Sequence, residues 1–144
     1  MSGVVGDFLL VRTGAREIGL RLEDVLEVGD LGQVRAVPSS APALRGVTAA
    51  RGRLVPVIHL EALLAATACP PARGATVVLA SLEGRPVGLE VEGADLLTRQ
   101  DLLPVPPGEA VPWASAMVRG SSGLIPILNL DAFRDRLLES GAKT

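Results

Sequence analysis

The chain has one cysteine, one histidine, no tyrosine and only 2% aromatic residues. Each scarcity excludes something. Cys69 alone forms no internal disulfide. No basic-then-apolar leader is evident, since Asp7 and Arg12 fall within the first dozen residues, so a reducing cytoplasm is the expected location. A zinc site takes three or four Cys, His or carboxylate ligands. A Cys–His nucleophile needs both groups and an orienting third. With Cys69 and His59 as the sole members of their types, neither chemistry is expected. Sixteen Asp+Glu leave carboxylate chemistry open by count, but no spacing singles out a pair.

There is no excess of positive charge either. Fourteen Lys+Arg against sixteen Asp+Glu give a net charge of −2. A nucleic-acid binder shows a basic excess and stacking aromatics. Phe8, Trp113 and Phe133 are too few to stack on, so no polynucleotide partner is expected. Long apolar runs are missing too. The longest uncharged stretch near the middle, residues 62–72, has eleven residues and includes Pro70 and Pro71. A bilayer-spanning helix takes about 20, so no direct membrane insertion is expected.

What the chain does have is a hydrophobic content of 48%, too apolar for disorder, in a length of 144 residues that suits one domain. Sixteen glycines and eleven prolines cut it into short segments, which favours strands and turns over long helices. Residues 7–12 and 75–81 read as buried strands, and 17–22 and 86–91 alternate with period two. Residues 34–37 make a weak strand, and 23–28 fit either a helical turn or a strand. Two hairpins are predicted, 46–50 with 54–58 around Arg51-Gly52-Arg53, and 116–119 with 124–128 around Gly120–Gly123. The stretch 60–67 has helical spacing. A closing helix is expected over 131–140, capped by Asn129 or Asp131, with Gly141 past its end. Residues 102–112, with four prolines, read as a loop or edge.

The two halves resemble each other. LVPVIHLEAL at 54–63 matches LIPILNLDAF at 124–133, with four of ten positions identical, at an offset of 70. IGLRLE at 18–23 matches VGLEVE at 87–92, at an offset of 69, aligning Gly19 with Gly88. The reading is one 1–144 domain built from two copies of a small β unit, about 7–70 and about 75–140. Units of that size are marginal alone and are expected to pack together, with a groove at the seam. Whether strands are exchanged between the copies is left open by the sequence.

One region carries a more specific signal. Val37-Pro38, Pro42, the run Gly46-Val47-Thr48-Ala49-Ala50-Arg51-Gly52 and then Leu54-Val55-Pro56-Val57-Ile58 resemble the signature of CheW-type coupling proteins of bacterial chemotaxis. The segment 24–28 and the strand 87–92 are similar to that family as well, so the resemblance runs in order along nearly the whole chain. The chain departs from the family pattern at His59, where an Asp is usual, at Ala50 and near Ile18.

The resemblance implies a mostly β fold of two SH3-like five-stranded barrels related by an internal pseudo-repeat, with short helices including one at the C-terminus. It implies a non-catalytic adaptor with no cofactor and no metal. Its partners would be a CheA-type histidine kinase and the cytoplasmic tips of methyl-accepting chemoreceptors, and its place the cytoplasm, at membrane-associated receptor arrays. A variant of the same fold would serve a pathway controlling pili, gliding or development. A small carboxylate enzyme in the groove is the competing class, and it requires two convergent acids there.

The partner-binding candidates are Val25, Glu27, Gly46, Val47, Arg51 and Gly52. Arg51, at a hairpin tip, suits a bidentate bond to a partner carboxylate. The plain alternative is a solvated arginine or an internal pair with Glu27. Gly46 and Gly52 read as turn glycines or as places where a partner helix packs close. Val25 and Glu27, two apart on a strand, are expected on one face. Without a partner, Val25 belongs in the core and Glu27 in water. His59 and its repeat mate Asn129 fit capping roles ahead of the two helices. Trp113 fits either an interface anchor or a core plug.

Overall fold

The computed structural model describes residues 5–14, 16–30, 33–37, 41–71, 76–108, 111–120 and 123–133. Ten strands are seen among them: β1 (Val5–Thr13), β2 (Arg16–Arg21), β3 (Val25–Asp30), β4 (Leu44–Ala50), β5 (Arg53–His59), β6 (Thr76–Leu82), β7 (Arg85–Val91), β8 (Gly93–Asp101), β9 (Ala114–Gly120) and β10 (Gly123–Leu128). A six-residue helix, α1 (Leu60–Ala65), follows β5, and 3-10 turns occupy Leu22–Asp24 and Leu130–Phe133. The ambiguous stretch after β2 thus divides into a helical turn and then a strand. The expected helix over 131–140 lies outside the described residues beyond Phe133.

The strands form two five-stranded sheets, with orders β8-β1-β2-β10-β9 and β3-β6-β7-β5-β4. Exchanging each strand for its repeat mate (β3 for β8, β6 for β1, β7 for β2, β5 for β10, β4 for β9) turns one order into the other. The sheets therefore do not coincide with the sequence halves. Each takes two strands from one half and three from the other. Each sheet joins the halves twice, by an antiparallel pair (β1 with β8, β3 with β6) and by a parallel pair, at Gly19↔Ile127 in the first sheet and Val57↔Gly88 in the second. This close approach explains the repeated glycine. A Cβ on Gly19 would stand 2.5 Å from Ile127 Cδ1, and one on Gly88 would stand 3.2 Å from Val77 Cγ1 and 3.3 Å from Val57 Cγ2.

Strand alternation feeds three cores. Phe8, Val118, Ile125 and Ile127 form a core on the first sheet, and Val55, Val57, Val77 and Leu79 form one on the second. The largest core lies between the sheets. Leu9, Val11, Ile58, Val78, Ala80 and Leu89 meet there with Leu60, Ala62 and Leu63 of α1. Both faces of the central strands are buried, which is why β1 and β6 read as continuous apolar runs. Trp113 is 8% exposed and packs in this central core, so it is a plug and not a surface anchor.

The sequence pattern predicts no element over β8. Its residues GADLLTRQD are largely polar, and it is held at the sheet's edge by pairing with β1 from Val5↔Asp101 to Arg12↔Gly93. Where long-range pairing supplies the hydrogen bonds, local propensity is overridden.

Candidate functional site

The second sheet is open between its outer strands, β3 and β4. The gap is a cleft of about 470 Å³. Its floor is Val77 and Leu79 of that sheet's own core, and its walls include Glu27, Asp30, Val47, Ala49, Ala50 and Leu54. Gln33, Val34 and Arg35 form a strap along its β4 side. Leu54 is 73% exposed at the mouth. The floor is apolar and the rim carries charge.

The strap is fixed to β4 by a reciprocal pair of backbone bonds. Arg35 N–H donates to Val47 O and Val47 N–H to Arg35 O, both at 2.8 Å. The Thr48 hydroxyl adds a 2.8 Å bond to Gln33 O. Such a strap covers an edge strand that would otherwise present unpaired backbone groups. The other sheet repeats the device, with Leu103 bridging Met117 of β9.

Gly46 is buried, at φ +154°, and a Cβ there would run into Arg35 O, so its missing side chain makes room for the chain's own strap. Val47 is buried in the cleft wall, 8% exposed. Gly52 (φ +75°) and Arg51 (φ +53°) are the two central residues of the β4–β5 turn, the geometry that a two-residue hairpin favours. Nothing lies within 4 Å of a Cβ on Gly52.

Val25 and Glu27 do not share a face. A bulge between them sets Val25 opposite Ala80 and Glu27 opposite Leu79, and those partners are neighbours on opposite faces of β6. Val25 turns to the central core and Glu27 to the cleft. The extra residue at Leu26 breaks the period-two rule.

Arg51, at the hairpin tip, ties that tip to β3. Its Nη2 donates to Leu26 O at 3.1 Å, and its Nε lies 3.5 Å from Glu27 Oε1. The internal Arg51–Glu27 pair is thus formed, with side chains 49% and 58% exposed. Of the six candidates, Glu27 and Val47 line the cleft, and Arg51 and Gly52 form the hairpin tip that Arg51 ties to Glu27. Gly46 supports the cleft from beneath the strap, and Val25 lies behind the sheet.

A second cluster escaped the sequence reading. Arg45 of β4 and Glu90 of β7 form a bidentate pair, with the Glu90 side chain 3% exposed. The available signal was an acid set between Leu89 and Val91 in a strand buried on both faces. His59 stands opposite Glu90 in the β5–β7 register. Its Nδ1 accepts from Ala62 N–H at 3.1 Å, and Asn129 Oδ1 accepts from Asp131 N–H at the same distance, so both repeat mates cap the turns that follow them. Burial holds the His59 imidazole below its ordinary range, helped by Arg45 and opposed by Glu90, Glu61 and Glu92. Burial also pushes the Cys69 thiol up. Among the described residues, no three His, Cys, Asp or Glu side chains converge as metal ligands, and no helix is long and apolar enough to cross a membrane.

Comparison with known proteins adds three findings. A family model described as a CheW-like domain matches residues 7–137. Chemotaxis protein CheW of Klebsiella aerogenes is 28% identical over 103 residues, which is 69% of this chain and 62% of that relative's length. The chain therefore matches less than two thirds of that relative. The crystal structure of scaffolding protein TtCheW from Thermoanaerobacter tengcongensis has the same fold, with a TM-score of 0.75 at 18% identity over 88% of this chain and 86% of that one. The expected mostly β architecture of paired SH3-like sheets is the one found.

Proposed function

Because the chain belongs to the CheW-like domain family, we propose that it is a non-catalytic adaptor that couples chemoreceptors to a CheA-type histidine kinase in bacterial chemosensory signalling. The observation that carries this reading is the β3–β4 cleft, an apolar floor of Val77 and Leu79 with Glu27, Asp30 and Arg35 in its walls and Arg51 paired to Glu27. The names of its relatives, a chemotaxis protein and a scaffolding protein, support the same reading.

In this reading binding replaces chemistry. Apolar side chains on a receptor helix or a kinase barrel cover Leu54 and the cleft floor, and each buried side chain contributes about 1.5–3 kcal/mol before ordering costs. The charged rim sets orientation more than affinity. The adaptor works in the cytoplasm, where receptor tips and kinase meet.

The test is reconstitution with a purified CheA-type kinase and a soluble receptor signalling fragment from the same cells. Retention of both partners, and loss of retention in Leu54→Asp with its circular dichroism unchanged, is the expected result. Retention of neither partner by the wild-type chain overturns the adaptor reading. Full retention by Leu54→Asp removes the cleft from it.

A further inference from the structure

The two repeat-related caps differ in one chemical property. The Asn129 amide oxygen accepts a hydrogen bond whatever the pH. His59 accepts through a ring nitrogen, Nδ1, 3.1 Å from Ala62 N. A ring nitrogen that accepts holds no proton, so the single proton of the neutral ring sits on Nε2. Imidazolium carries a proton on each nitrogen and has no acceptor to offer. We propose that His59 is a proton-controlled cap on α1, released by acidification, and that its release loosens the junction between the two sheets.

The placement of α1 gives this cap its reach. The helix has six residues, so its first turn is most of it. It follows β5 of the second sheet, and Leu60, Ala62 and Leu63 enter the core between the sheets. Glu61 is ion-paired to Arg16 of β2 in the first sheet, Nε to Oε1 at 3.0 Å. A loosened first turn therefore affects both sheets. The anchor upstream does not titrate, since His59 N–H donates to Ala43 O at 2.8 Å through the backbone.

The charged groups around the ring come from every element packed on it. Glu90 faces it from β7, Arg45 from β4, Glu61 from α1 and Glu92 from the end of β7, and the neutral Cys69 thiol lies beyond α1. Arg45 and Glu90 are committed to each other through two bonds. A proton on His59 adds a positive charge beside Arg45 at the moment the helix loses its acceptor. Burial and Arg45 favour the neutral, capping ring, and the three glutamates oppose them.

The test is ring-nitrogen NMR of the full chain during an acid titration, with amide exchange of residues 62–66 expressed as protection factors. Expected are an unprotonated Nδ1 at neutral pH and about five- to tenfold lower protection once the ring is charged. The variant His59→Asn, which copies position 129, is expected to keep α1 and to make its protection independent of pH. A neutral ring protonated on Nδ1, or protection that does not change as the ring titrates, overturns the proposal. So does an Asn variant with the wild-type pH dependence. If that variant does not fold, the wild-type ring signals and protection factors decide alone.

Discussion

Arg45 holds Glu90 through two parallel bonds, Nε to Oε1 at 2.8 Å and Nη2 to Oε2 at 3.0 Å, on side chains 15% and 3% exposed. The repeat mates of this pair are Ser115 and Arg21, so it breaks the pseudo-symmetry of the two sheets. Arg45→Met leaves a carboxylate buried without its partner. It is expected to destabilise the fold by about 3–5 kcal/mol, and Arg45→Met with Glu90→Leu together to regain most of that loss. Urea unfolding of the three proteins checks it. A double variant as unstable as the single one would falsify this account.

The glycines rank by what blocks a side chain. At Gly46 both the φ of +154° and the strap backbone at Arg35 oppose a Cβ. At Gly19 the obstacle is the flexible end of Ile127, 2.5 Å away, and at Gly52 it is only the φ of +75°. Gly52→Ala is expected to cost about 1–2 kcal/mol and Gly19→Ala about 1–3 kcal/mol. Gly46→Ala is expected to cost more than either and to expose the β4 edge. Unfolding midpoints and exchange of the Val47 amide measure both effects, and a Gly46→Ala protein as stable as Gly52→Ala would contradict the ranking.

Arg51 and Glu27 are half-exposed, so Arg51→Ala is expected to change stability by no more than about 1 kcal/mol. Its effect on partner retention has two separable origins. If the guanidinium serves by tying the hairpin tip to β3, the charge-swapped double variant Arg51→Glu, Glu27→Arg keeps much of the retention. If it meets a partner carboxylate, the swap abolishes retention as fully as Arg51→Glu alone. The reading of Arg51 as a partner contact predicts the second outcome, measured by co-sedimentation with receptor and kinase.

Asp24 follows a depressed-charge logic. Burial raises its carboxyl above the usual 3.8, Glu23 and Asp131 add to this, and Arg21 opposes it. Above 3.8 the unfolded chain releases this proton before the folded one does, so native stability falls as pH rises through that interval. Asp24→Asn is expected to raise the Tm at neutral pH by about 2 °C or less, because the group is partly solvated. It is expected to leave the Tm unchanged where both states are protonated. A lower Tm at neutral pH would reverse the sign.

Much of this protein is determined by sequence acting locally. The Pro-Val and Pro-Ile strands, the Arg51-Gly52 turn and the capping pair His59 and Asn129 are short-range patterns, and each forms as its neighbours dictate. The tertiary structure alone decided which strands pair, that β8 is a strand at all, and that a bulge sends Val25 and Glu27 to opposite faces. It alone brought Arg45 to Glu90 and laid Arg35 over Gly46. The physical reason is that a duplicated sequence offers each β2-like strand two nearly equivalent β5-like partners. Local preferences are the same for both choices. Only the hydrogen bonds and buried area summed over the whole chain select the exchanged pairing, in which β2 joins β10 and β7 joins β5.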